Sequence, residues 1–133
     1  MKKNTKGFTL IELLAVIVIL AIIALIAVPV ILNILTKSRK SAAQDTAYSV
    51  LNAAELYYAE ALLDNPGEAF AAKTFNFPAD ANVEGGVQVK GTVPTAGAVT
   101  LNANGTAEIT EALKINGINC NYKADSKTVI ECK

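Results

Sequence analysis

Histidine and tryptophan are both absent from the 133 residues. The usual general base at neutral pH and the commonest metal ligand are therefore missing. Serine–histidine and cysteine–histidine catalysis are excluded. Two cysteines cannot furnish a four-cysteine zinc site. Excess charge of one sign is lacking too, since twelve cationic side chains balance twelve acidic ones. Bulk charge thus argues against a strongly basic nucleic-acid binder. No catalytic constellation, phosphate loop or internal repeat can be read, so an enzyme is not expected, and no cofactor or metal is implied. The length suits one domain and not comfortably two.

What the chain does have is apolar surface, at 52% of residues, and it is concentrated. Leu13 to Leu32 is a run of twenty residues with no polar side chain, and no charge follows Glu12 until Lys37. As a helix such a run spans ~30 Å, the thickness of a bilayer's hydrocarbon core. A core helix of so small a protein needs a polar stripe, and this segment has none. It reads as a membrane span. Lys2, Lys3 and Lys6 before it match Lys37, Arg39 and Lys40 after it, so the positive-inside count is a tie. An ordinary secretory signal has a shorter apolar region followed by a small-residue cleavage site, which this run lacks. Glu12 sits at the edge of the span, where a charge asks for a reason: placed centrally it would cost ~2.5–3.5 kcal/mol. Tolerance at headgroup level is the plainest account.

Lys6-Gly7-Phe8-Thr9-Leu10-Ile11-Glu12 followed by a long apolar helix resembles the class III signal of type IV pilins and pseudopilins. The likeness is close over residues 1–58 and only architectural beyond. It implies a leader, residues 1–7, that faces the cytoplasm and is cut between Gly7 and Phe8 by a prepilin peptidase. The same enzyme N-methylates Phe8. The span, residues 8–35, stays on the mature chain as a single-pass anchor and then as filament core. Glu12 would face the terminal ammonium of Phe8 in a neighbouring subunit, each charge compensated only in register. Its own Phe8 amine, four residues back on the same face, is an alternative partner. Pro29 removes the amide hydrogen that would bond the Leu25 carbonyl, so a kink is expected there.

From Lys37 onward Ala43, Ala47, Val50, Leu51, Ala54, Tyr58, Ala61 and Leu62 form an amphipathic stripe. With no Gly or Pro between Val30 and Asn65, residues 36–63 continue the same helix to the breaker Asp64-Asn65-Pro66-Gly67. A helix from Phe8 to Leu63 would run ~84 Å, more than a compact domain of this size can bury. Its N-terminal half must be covered by lipid or by other copies of the chain. Residues 64–133 read as a β-rich head, which makes the fold class α+β with a small antiparallel sheet. Ala69–Glu84 is a connector whose Phe70, Phe75 and Phe77 plug onto the core. Strands are expected at Val87–Val93, Ala98–Asn102 and Thr106–Thr110, with a turn at Pro94–Gly97 and a hairpin at Asn104-Gly105. Glu111–Ile115 either continues the last strand or forms a helical turn. Ile118–Lys123 and Val129–Cys132 pair, which sets Cys120 opposite Cys132. A disulfide there would contribute roughly 3 kcal/mol and fits an exterior location. C-terminal cysteine loops recur among type IV pilins.

Weaker signals have plain explanations. Asp80-Ala81-Asn82-Val83-Glu84-Gly85 resembles the start of a calcium loop, but Gly91 stands where its last ligand belongs. Asn104-Gly105-Thr106 is a glycosylation sequon that a turn explains equally. Tyr48, Tyr57 and Tyr58 fit core or interface better than base stacking. Lys114–Lys133 carries net +2, which leaves room for weak DNA contact. The resemblance implies a pilin precursor inserted in the membrane, processed, and polymerised with itself into an extracellular type IV pilus for adhesion, motility or DNA uptake. Its further partners would be a membrane platform protein and, indirectly, an assembly ATPase. The rival is a pseudopilin of a type II secretion or competence machine. Secretion-type major pseudopilins usually carry a calcium loop and no C-terminal disulfide, the inverse of this chain, which favours a pilus; the resemblance is to a major pilin. The lysine-rich leader suggests a Gram-positive source. A membrane-anchored binding module that never polymerises would leave Glu12 and the cleavage motif without a purpose.

Overall fold

A computed structural model describes residues 6–133; residues 1–5, the greater part of the expected leader 1–7, lie outside the described residues. The chain divides into two units at Ser38–Arg39. One helix and five strands follow in order: α1 Leu10–Asp64, β1 Lys73–Asn76, β2 Ala96–Leu101, β3 Ala107–Ile115, β4 Ile118–Tyr122 and β5 Ile130–Cys132. The fold class is α+β.

Helix α1 persists because Ala and Leu recur along its whole length and Pro29 is its one breaker. Pro29 lies inside it, and the helical assignment continues through that residue. The hydroxyls of Thr36, Thr46 and Ser49 turn back onto the carbonyls of Leu32, Ala42 and Asp45 at 2.9, 2.9 and 3.0 Å. Each polar side chain is thereby satisfied within the helix. At the far end Asn65-Pro66-Gly67 leaves the helical path.

In the second unit the sheet is an antiparallel meander, β1-β2-β3-β4-β5. Its inner face presents Phe75, Val99, Leu101, Ile109, Leu113, Ile115, Cys120, Ile130 and Cys132 to Ala43, Ala47, Val50 and Ala54 of α1. Those helix positions recur at four and three residues, one stripe per two turns. Three of the four are alanine, so the helix meets the core through small side chains. Tyr48, Tyr57 and Tyr58 pack at the margins of this core. Phe75 and Phe77 are buried and Phe70 half-buried, so the three connector aromatics do anchor their segment. The Tyr58 ring meets Phe70 edge-on at 5.0 Å and also covers Gly105 in the β2–β3 turn. A Cβ on Gly105 would collide with that ring, and its φ of 87° is itself a glycine conformation.

Two strand assignments change. Val87–Val93 alternates like a strand, and Val87 and Val89 are indeed buried, but the segment pairs with no sheet strand. Its backbone bonds locally instead: Val87 N–H to Asp80 O at 2.9 Å, Asn82 N–H to Val87 O at 2.8 Å, and Val89 N–H to the Asn82 side chain at 2.8 Å. The place beside β2 is taken by β1, four residues within the stretch read as connector, in register Lys73↔Leu101 to Asn76↔Ala98. Pro94–Gly97 is not a turn throughout, since Ala96 and Gly97 open β2. The register shifts between Ala96 and Val99, with Gly97 at φ 110°. Glu111–Ile115 continues β3.

Candidate functional site

The chemistry-bearing segment begins before the helix. Lys6 to Thr9 has no regular structure, and Phe8 is 84% exposed. Nothing lies within 4 Å of a Cβ built on Gly7. A peptidase needs an accessible, non-helical bond, and Gly7–Phe8 is one. Thr9 then caps α1. The Thr9 hydroxyl oxygen accepts the Glu12 N–H at 3.3 Å, and a Glu12 carboxylate oxygen accepts the Thr9 N–H at 3.1 Å. This reciprocal capping box satisfies two backbone donors that a helix start leaves open.

Glu12 therefore has an intrachain role that the reading of a register charge missed, although Thr-x-x-Glu before an apolar run is itself its signal. The structure does not bring Glu12 to the Phe8 nitrogen, which in the uncleaved chain is a peptide amide and carries no charge. Beyond Glu12 the large apolar side chains from Leu13 to Leu35 stand exposed. The most apolar window of α1 has a mean hydropathy of 3.4 and no buried residue. By length and composition it can cross a membrane. An unfilled apolar surface of this extent implies a cover of lipid or protein.

In the second unit Cys120 and Cys132 form a disulfide at a directly opposed pair of β4 and β5, Cα atoms 4.1 Å apart. The outer edge of β5 is bonded to α1 at Ile130. Gln44 Nε2 donates to the Ile130 carbonyl at 2.8 Å, and the Tyr48 hydroxyl accepts the Ile130 N–H at 3.0 Å. Unpaired strand edges invite association with other chains, so this closure protects the terminus. No sequence pattern announces these bonds, because their partners lie more than eighty residues apart.

Lys73 forms a second node. Its ammonium donates to the Gly85 carbonyl at 2.6 Å and to the Tyr57 hydroxyl at 3.0 Å. It also stands 4.8 and 5.0 Å from the Tyr57 and Phe75 ring centres. Lys73→Met keeps the aliphatic stem and removes all of these. It should lower stability by ~1 kcal/mol and speed hydrogen exchange in residues 83–88, read by mass spectrometry.

The calcium-like stretch is spent on local structure. Asp80 accepts the Asn76 N–H at 2.7 Å, and Asn82 accepts the Val89 N–H. Among the described residues no cluster of three metal-ligating side chains occurs. Burial raises the Tyr122 hydroxyl above its ordinary 10.0; the hydrogen bond from Ile109 N–H opposes this, and Glu108 and Glu55 add to the rise. The folded chain thus holds that proton more tightly than the unfolded one. The resulting stability is complete below pH 10 and is lost as pH climbs through the raised value. Urea midpoints of wild type should fall across that window more than those of Tyr122→Phe.

Residues 2–28 match the family model of the prokaryotic N-terminal methylation motif. Neither the curated proteins nor the solved structures give a match. The matched motif supports a type IV pilin or pseudopilin in general, and points to a structural protein. It implies processing by a prepilin peptidase and polymerisation with copies of itself. With the apolar helix it fits a membrane-anchored precursor of an extracellular fibre.

Proposed function

We propose that the chain is the precursor of a major type IV pilus subunit. Residues 1–7 are the leader, Gly7–Phe8 is the cut, and Phe8 is N-methylated. Residues 8–35 cross the cytoplasmic membrane and later form the filament core. Residues 36–63 carry the head, residues 64–133, which is displayed outside. The observation that carries this reading is an exposed, capped apolar helix that starts at a methylation motif. At ~25 cal/mol per Å² such helices would associate strongly in water, but in lipid the gain is small because they are already solvated. Extraction therefore needs work, supplied by an ATPase through a membrane platform. Mature chains would carry nine cations against twelve acids, net −3. Glu12 meets the Phe8 ammonium of a neighbour, and Pro29 weakens the helix locally where subunits must fit. The lysine-rich leader fits a Gram-positive host.

The disulfide-bearing, β-rich head favours a pilus over a pseudopilus of a secretion or competence machine. Adhesion, motility and DNA uptake are the uses such a fibre offers, and the lysines of 114–133 would supply any weak DNA contact. Electron microscopy of the sheared surface fraction tests the choice, with the subunit identified by peptide mapping. Long filaments built of this chain support the pilus reading. A chain confined to the membrane fraction overturns it.

A further inference from the structure

The chain has two Asn–Gly steps in its β-turns, and the fold treats them oppositely. In the β2–β3 turn the Gly105 N–H donates to the Asn102 carbonyl at 3.0 Å. The Asn104 side-chain carbonyl accepts the Thr106 N–H at 3.1 Å and the Thr106 hydroxyl at 2.7 Å. The Tyr58 ring covers Gly105. In the β3–β4 turn, Asn116 and Gly117 join the paired residues Ile115 and Ile118 with φ of 51° and 80°. Both residues are exposed. Among the described residues, nothing hydrogen-bonds the Asn116 side chain or the Gly117 N–H. Nothing lies within 4 Å of a Cβ built on Gly117. Asn116 also shares a surface depression of about 300 Å³ with Arg39 and Ala42 of α1.

We propose that Asn116 is a site of spontaneous deamidation, with Arg39 as the cation beside the new charge. The Gly117 backbone nitrogen, losing its proton to solvent, attacks Cγ of Asn116. The new N–Cγ bond closes a succinimide as the Cγ–Nδ2 bond breaks; the departing nitrogen takes a proton from solvent and leaves as ammonia. Water then opens either imide C–N bond, giving aspartate or isoaspartate. No oxidant or reductant is needed. Glycine at the following position leaves the nitrogen unshielded. At Asn104 the same attack must first break the Gly105–Asn102 bond, turn a carbonyl held by two donors and displace the Tyr58 contact. Arg39 favours both the anion that forms during attack and the product carboxylate. A subunit that persists on the cell surface would thus gain one negative charge next to Arg39 as it ages.

The full chain in detergent is held at mildly alkaline pH and sampled over time. A parallel sample is kept in strong denaturant with the disulfide intact. Peptide mass spectrometry with site-resolving fragmentation reads the exchange of NH₂ for OH at each asparagine. In denaturant the two sites should react at similar rates. In the folded chain Asn116 should keep most of that rate and Asn104 should slow about tenfold, the scale of one protecting hydrogen bond. Arg39→Gln should slow Asn116 about twofold, as expected for an exposed charge, and leave Asn104 unchanged. Equal protection of both sites in the folded chain, or faster loss at Asn104, overturns the assignment. An Asn116 rate indifferent to Arg39→Gln removes Arg39 from it.

Discussion

Glu12→Ala is expected to insert into the membrane as well as wild type and to yield little or no fibre. Removing a carboxylate makes the span more apolar, so insertion should improve if anything. On the proposed register pairing, assembly should suffer because the Phe8 ammonium of an incoming subunit loses its partner. An unpaired charge in apolar surroundings costs several kcal/mol, about 3–5 where one member of a buried pair is removed. The capping box complicates this variant, since alanine also releases the Thr9 N–H. Loss of such a cap is worth ~1 kcal/mol. Glu12→Gln separates the two effects. Glutamine can still reach back to the Thr9 N–H but carries no charge. If Glu12 acts through charge, the glutamine variant fails to assemble almost as completely as the alanine variant. If Glu12 acts only as a helix cap, glutamine restores the fibre. The ratio of sheared to membrane fractions reads both variants.

The second large effect is expected from Cys120→Ala. Opening the Cys120–Cys132 bridge frees a terminal hairpin, at a loss of roughly 3 kcal/mol. The variant also replaces a buried sulfur with a smaller group. Strand β5 should remain docked while Gln44 and Tyr48 hold Ile130, so unfolding should become easier without loss of the fold. Adding Tyr48→Phe removes the hydroxyl that accepts the Ile130 N–H and should release the strand further. Urea midpoints measure the first loss, and hydrogen exchange at Ile130–Cys132 measures the second. Membrane insertion should be unchanged in both variants and fibre yield reduced, most in the double variant. An unfolding midpoint of Cys120→Ala equal to wild type would show that the bridge contributes nothing.

The elements legible in the sequence are those specified by local chemistry. The apolar run, the breaker at Asn65-Pro66-Gly67 and the Asn104-Gly105 turn each carry their own instruction. So does the C-terminal hairpin, because the loop between Ile118–Tyr122 and Ile130–Cys132 sets the register of the two cysteines. Strand β1 was not legible, since Lys73-Thr74-Phe75-Asn76 is too short to show a period and is recruited by β2. Val87–Val93 misled for the converse reason. Its alternation reports burial of Val87 and Val89, and burial does not require a neighbouring strand. At the N-terminus the motif is plain, but the charge of Glu12 does not by itself report its hydrogen bond to Thr9. The Gln44 and Tyr48 closure and the Lys73 node are long-range contacts, which only the folded chain displays.

The intact mass of the subunit in sheared surface filaments tests the central claim most directly. It should correspond to a chain that begins at Phe8, carries one added methyl group, and contains the Cys120–Cys132 bridge. Fragmentation should place the methyl on the Phe8 nitrogen. A filament subunit that retains residues 1–7 would contradict the account.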